Sequence, residues 1–143
     1  MSRRSVWRVV ALGLALAAAG TACGGGGGGQ DSAKGSTQAP EDVHAPAVQV
    51  TAGLGTIGGI VGRVGVAAGT DAKSAKELNA SIEPEWQKIE GTIRANDKDT
   101  YIRFEDDFAA LGKAAAAGDG AKAQQTAADV ADAIKAYLAK FPG

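Results

Sequence analysis

Glu83, Glu90 and Glu105 are the side chains of this 143-residue chain best suited to chemistry. Glu83 and Glu90 stand two helical turns apart, so on a helix they share one side and flank Trp86. Glu105 lies between Tyr101 and Phe108, at the edge of another apolar stripe. Antiparallel packing of the two helices could bring Glu90 and Glu105 together. Such an oxygen-rich set suits a hard cation such as Ca²⁺, Mg²⁺ or Fe³⁺, bound by carboxylates. The competing reading is structural: acidic residues beside an apolar stripe form a solvated face, paired with Arg94, Arg103 or Lys88 for little energy.

Other chemistries find no residues to carry them. His44 is the only histidine and stands before the first apolar stripe, where a catalytic triad could not use it. No phosphate-binding glycine loop, dinucleotide fingerprint or H-E-x-x-H pattern occurs. "DKDTYI" (97–102) begins like a calcium loop, but Ile102 takes the place of the required glycine. Copper and zinc sites normally need histidine, cysteine or methionine, which are nearly absent here. The expectation is a protein that is not an enzyme and has no catalytic residues.

The single cysteine, Cys23, is followed by six glycines. Ahead of it, Arg3, Arg4 and Arg8 precede an uncharged stretch of 11 residues, Val9 to Ala19, and the small residues Gly20, Thr21 and Ala22. This is the plan of an export signal, and the apolar stretch is too short to span a bilayer. A lone thiol in an exported chain has no internal partner. Thr21-Ala22-Cys23 resembles the lipobox of bacterial lipoproteins, departing from it at Gly20, where leucine is usual. The resemblance implies lipidation of Cys23, with a palmitate-type membrane anchor on the extracytoplasmic face of the cell membrane. "SRRSVWR" (2–8) is also similar to a twin-arginine export signal.

Loss of residues 1–22 would remove three of the 15 basic side chains, leaving 12 against 16 acidic ones, a net charge of −4. That balance, with no basic run interleaved with aromatics, gives no reason to expect a nucleic-acid partner. The expected domains are a signal peptide over 1–22, a lipid-anchored flexible tether rich in Gly, Ser and Pro over 23–45, and a helical bundle over 46–143.

Helical spacing dominates the rest. Val50, Leu54, Ile57, Val61, Val64 and Ala68 make one stripe. Leu78, Ile82, Trp86, Ile89 and Ile93 make a second, Tyr101, Phe104, Phe108 and Leu111 a third, and Val130, Ile134, Tyr137, Leu138 and Phe141 a fourth. Thr70 or Asp71 and Asp97 or Asp99 are candidate caps, Asn96 a candidate left-handed residue, and Gly118 to Gly120 a break. Short connections then predict an all-α fold, a small antiparallel bundle of three to four helices.

Two features strain that pattern. Seven glycines fall between Val50 and Gly69, and six of them (all but Gly53) project to one side of a helix. They allow close packing inside the bundle, an incompletely helical or strand-forming segment, or a membrane-inserting one, since Ala47 to Gly69 carries only Arg63 as a charge. Pro84 cannot donate to the carbonyl of Ala80, so the second helix must kink or restart there.

"IEPEWQKIE" (82–90), "YIRFEDDFAAL" (101–111) and "DVADAIKAYLAKFP" (129–142) together resemble the helical extracytoplasmic domains associated with bacterial iron-permease systems. The resemblance implies that Glu83, Glu90 and Glu105 face a cation path, although the H-x-x-E pair of imelysin-like relatives is missing. It favours a non-enzymatic binding or accessory module beside a membrane-protein partner, in metal-ion (iron) uptake. The alternative is a structural or protein-interaction envelope lipoprotein with no small ligand.

Overall fold

A computed structural model describes residues 44–143. The expected signal peptide, Cys23 and the expected tether up to residue 43 lie outside the described residues. From Ala47 onward the chain forms α1 (Ala47–Ala67), α2 (Ala72–Ala80), α3 (Ile82–Trp86), α4 (Glu90–Asn96), α5 (Lys98–Ala117) and α6 (Gly120–Lys140), with no strand among the described residues. The fold is an all-α helical bundle of four antiparallel legs, the second leg being α2, α3 and α4 in succession.

The expected stripes are its core. Every residue of the first stripe is buried, as are Ile82, Trp86, Ile89 and Ile93 of the second, Phe104, Phe108 and Leu111 of the third, and Val130, Ile134 and Tyr137 of the fourth. Leu78, Tyr101, Leu138 and Phe141 pack against that core from its edge. Burial of one face, and not helix propensity, must hold α1, because each interior glycine costs a helix up to about 1 kcal/mol relative to alanine.

The ends of the legs follow from local chemistry. The Asp71 carboxylate accepts the Ser74 N–H at 3.0 Å, that of Asp97 the Thr100 N–H at 3.1 Å, and that of Asp119 the Lys122 N–H at 2.9 Å. Gly118 closes α5 in the left-handed region (φ 68°), its N–H reaching the carbonyls of Ala114 and Ala115. Asn96, expected to be left-handed, is instead the last residue of α4, and no non-glycine residue among those described has positive φ. The turn is made by extended Asp97 (φ −155°, ψ 94°), which caps α5 without needing a left-handed residue.

Pro84 breaks the second leg as its chemistry requires. Helix α2 stops at Ala80, Ser81 turns back on the Leu78 carbonyl through its hydroxyl at 2.7 Å, and α3 runs for five residues with Pro84 in its first turn. A second interruption at Gln87–Ile89 separates α3 from α4.

Apart from Gly53, where a Cβ would stand 3.1 Å from the Ile89 side chain, the glycines of α1 and the turn after it divide into two sets. A Cβ on Gly65 would stand 3.2 Å from the Ala127 Cβ, one on Gly69 3.3 Å from the Gly120 Cα, and one on Gly58 3.4 Å from the Ile134 Cδ1. These three let α1 and α6 approach closely, as a packing role requires. Gly55, Gly59 and Gly62 have nothing within 4 Å of a would-be Cβ and face outward. The segment is a continuous helix, which settles against strand or partial helix. By length and composition α1 could cross a membrane (mean hydropathy 1.4), yet it is the helix against which α2, α3 and α6 pack.

The two sets should respond to mutation with opposite signs. Gly59→Ala and Gly62→Ala should each raise stability by about 0.4–1 kcal/mol, through helix propensity and a less disordered unfolded chain. Gly120→Ala would place a Cβ 2.7 Å from the Gly69 Cα and should lower stability by about 1–3 kcal/mol. Thermal and urea melts of the three variants would check both signs.

Candidate functional site

The three sequence-predicted glutamates are not gathered into one site. Glu83 is exposed and accepts the Gln87 side-chain amide at 2.9 Å. Glu90 is half-buried at the start of α4. Glu105, on α5, accepts the indole N–H of Trp86 at 2.6 Å. Among the described residues, no group of three or more His, Cys, Asp or Glu side chains is placed to hold a metal ion. Glu83, Glu90 and Glu105 therefore do not form a three-carboxylate donor set.

The Trp86–Glu105 bond has a structural reason. Trp86 is 1% exposed, with its ring stacked on Tyr101 (5.9 Å) and edge-on to Phe104 (5.4 Å) and Phe108 (5.2 Å). An indole so buried must find an acceptor for its N–H, and Glu105 is one turn from both Tyr101 and Phe108 on the same helix. Glu105, placed between Tyr101 and Phe108, thus meets the one polar need of an aromatic core.

Asp107, two residues on, is less well served. Burial pushes its carboxyl above the usual value, opposed by the Arg103 guanidinium, whose Nε stands 3.6 Å from Oδ2. Arg103 also donates to the Asp129 backbone carbonyl at 3.1 Å, joining α5 to α6.

Elsewhere, a cleft of about 350 Å³ opens where the start of α1, the end of α4 and the end of α6 meet. That volume falls at the small end of ligand pockets. Its apolar side includes Val50 and Phe141, and its polar side Thr92, Asn96, Tyr137 and Lys140. Each polar group is fixed. The Asn96 amide donates to the Tyr137 hydroxyl at 2.9 Å, and the Lys140 ammonium donates to the Asp97 carboxylate at 2.8 Å. Lys140 also lies over the Phe141 ring, 5.3 Å from its centre, and that ring packs against Tyr137 at 4.9 Å. The Thr92 hydroxyl accepts from the Ala45 N–H at 2.6 Å and donates to the Ala45 carbonyl at 3.1 Å. Ala45, one residue ahead of Pro46, is itself buried.

The electrostatics keep this arrangement in one protonation state near neutral pH. Burial pushes the Tyr137 phenol up, against the opposing Asn96 hydrogen bond and with a further upward push from Asp97, so its hydroxyl stays neutral. The Lys140 hydrogen bond, followed by that of the Thr100 N–H, holds Asp97 down at about 2.

Sequence reading placed none of Thr92, Asn96, Tyr137 and Lys140 in a site. Asn96 read as a turn residue and Tyr137 as core. The one available signal was the choice of Tyr over Phe at a buried position three residues before a last-turn lysine. No protein-family model, curated protein or solved structure matches this chain.

Two measurements follow. Asp97 has a depressed folded-state pKa, so the stability it contributes is complete above the ordinary 3.8 and is lost as pH falls from there through about 2. Asp97→Asn should lower the melting temperature at neutral pH and flatten its fall across that acid window; an unchanged acid limb would assign the pH dependence to other carboxylates. Glu105→Ala should cost about 1–3 kcal/mol by stranding the indole N–H, whereas Glu105→Gln, which keeps an acceptor oxygen, should cost less. Urea melts followed by Trp86 fluorescence would separate the two.

Proposed function

We propose that this chain is a non-enzymatic binding module of the extracytoplasmic membrane surface, anchored through lipid on Cys23 and taking a small ligand in the cleft between α1, α4 and α6. The observation that carries the reading is the convergence of Thr92, Asn96, Tyr137 and Lys140, drawn from separate elements, on one cleft with an apolar wall. Mixed apolar and fixed polar lining is the usual character of a small-molecule site. The signal-like residues 1–22 and the Thr21-Ala22-Cys23 sequence support the anchored location.

Iron uptake by way of Glu83, Glu90 and Glu105 finds less support. Glu105 is occupied by Trp86 and Glu83 by Gln87, so the cleft and not the carboxylates is the basis for binding.

Two experiments test the two halves. Cys23→Ser should move the chain from the membrane fraction to the soluble one; retention in the membrane would overturn the lipid anchor. A set of small fragments of mixed charge, followed by backbone amide shifts in nuclear magnetic resonance spectra, should give hits clustered at Thr92, Asn96, Tyr137 and Phe141. Hits confined to other surfaces, or none at all, would overturn the binding site.

A further inference from the structure

The character of the cleft restricts what can occupy it, and this step rests on reading the cleft as a binding site. Among the described residues, Lys140 is the only charged one that lines it. The carboxylate that holds Lys140 belongs to Asp97, which is not a lining residue and whose other oxygen is engaged by the Thr100 N–H at the start of α5. Asp97 therefore acts as a bracket: it orients the ammonium and leaves two of its three N–H bonds for another acceptor. The Tyr137 oxygen accepts from Asn96, which leaves its own hydrogen to donate. The Thr92 hydroxyl is spent in both directions on Ala45. Among the lining side chains, then, the free capacity comprises the Lys140 and Tyr137 donors, the first of them cationic, with the Asn96 amide oxygen as an acceptor beside them. Beside these donors lie the Phe141 ring, Pro142 and Val50, which offer apolar surface and no hydrogen-bonding side chain.

From this we infer that the cleft binds a small organic carboxylate with an apolar or aromatic body. Its carboxylate oxygens accept from the Lys140 ammonium and the Tyr137 hydroxyl, and its body lies along Phe141 and Val50. A charge-assisted bond to Lys140 and a neutral O–H donor give such a ligand a preference that neither an amide nor an amine of the same shape can match. The roughly 350 Å³ of space limits the ligand to a small molecule.

The test uses the full chain in non-ionic detergent micelles and three probes of one shape: phenylacetate, phenylacetamide and phenethylamine, with 4-methylpentanoate as an aliphatic carboxylate. Backbone amide shifts at Asn96, Tyr137 and Phe141 report binding. One or both carboxylates should titrate these signals to saturation, with phenylacetamide and phenethylamine at least tenfold weaker. Lys140→Met and Tyr137→Phe should each weaken the carboxylate at least fivefold. Lys140→Met removes the bond to Asp97 and Tyr137→Phe the acceptor of the Asn96 amide, so both variants should melt below the parent, and circular dichroism would verify that each is folded at the temperature of the titration. Equal binding of the amide or the amine, or affinities unmoved by both variants, would overturn the carboxylate assignment while leaving a ligand site in the cleft. Fragment hits in the cleft with neither carboxylate among the binders would overturn it in the same way. Silence of these signals towards every probe and fragment would overturn the cleft as a site altogether.

Discussion

Where α1 ends and α6 begins, the two backbones meet with no side chain between them, Gly69 against Gly120, and the register of the bundle follows from that contact. The left-handed Gly118 delivers the chain from α5 to this point, and from there α6 runs back along α1. The residues between the two helices then grow in size along the pair: Gly65 meets Ala127, Gly58 meets Ile134, and at the far end the first turns of α1 meet Tyr137 and Phe141. Small residues hold one end of the pair in direct contact, while aromatic rings set the spacing at the other. The cleft lies at this aromatic end, walled by α1, α4 and α6.

The interrupted second leg complements this arrangement. Pro84 separates α3 from α2, and α3, a single short turn, presents Trp86 to the rings of α5; the interruption at Gln87–Ile89 then lets α4 take its own direction. An unbroken helix would tie those two orientations together. Glu105 and Asn96 show the same economy at each end: each meets the polar atom of a buried aromatic side chain, the indole of Trp86 and the phenol of Tyr137. Around these contacts the cohesion of the domain is apolar burial, with Trp86, Phe104, Leu54 and Leu111 among its largest side chains.

The fold was readable in the sequence to the extent that burial leaves a helical period. Val50 to Ala68 and Ile82 to Ile93 repeat at spacings of three and four because one face must leave water, and the aspartates at 71, 97 and 119 announce the helix starts that they cap. Pro84 was equally plain, since a missing N–H has a local consequence. What the sequence could not reveal was pairing between legs. Gly62 and Gly65 look alike in sequence, yet only Gly65 lies under α6, because that depends on where Gly120 brings the opposing helix. Glu105 looked like a ligand for a cation because its partner, Trp86, lies nineteen positions away on another leg. The cleft was invisible for the same reason: Thr92, Asn96, Tyr137 and Lys140 acquire a joint meaning only once three elements converge.

The double hydrogen bond between Ala45 and Thr92 also has a mechanical side. Any pull on the chain preceding Ala45 enters the domain there, before it reaches the first turn of α1. The load passes sideways into α4 through one threonine hydroxyl, and the Val50 layer behind it is spared the first displacement. Both bonds fall on a single side chain, and Thr92 also lines the cleft, so a load on the leading segment reaches the cleft wall.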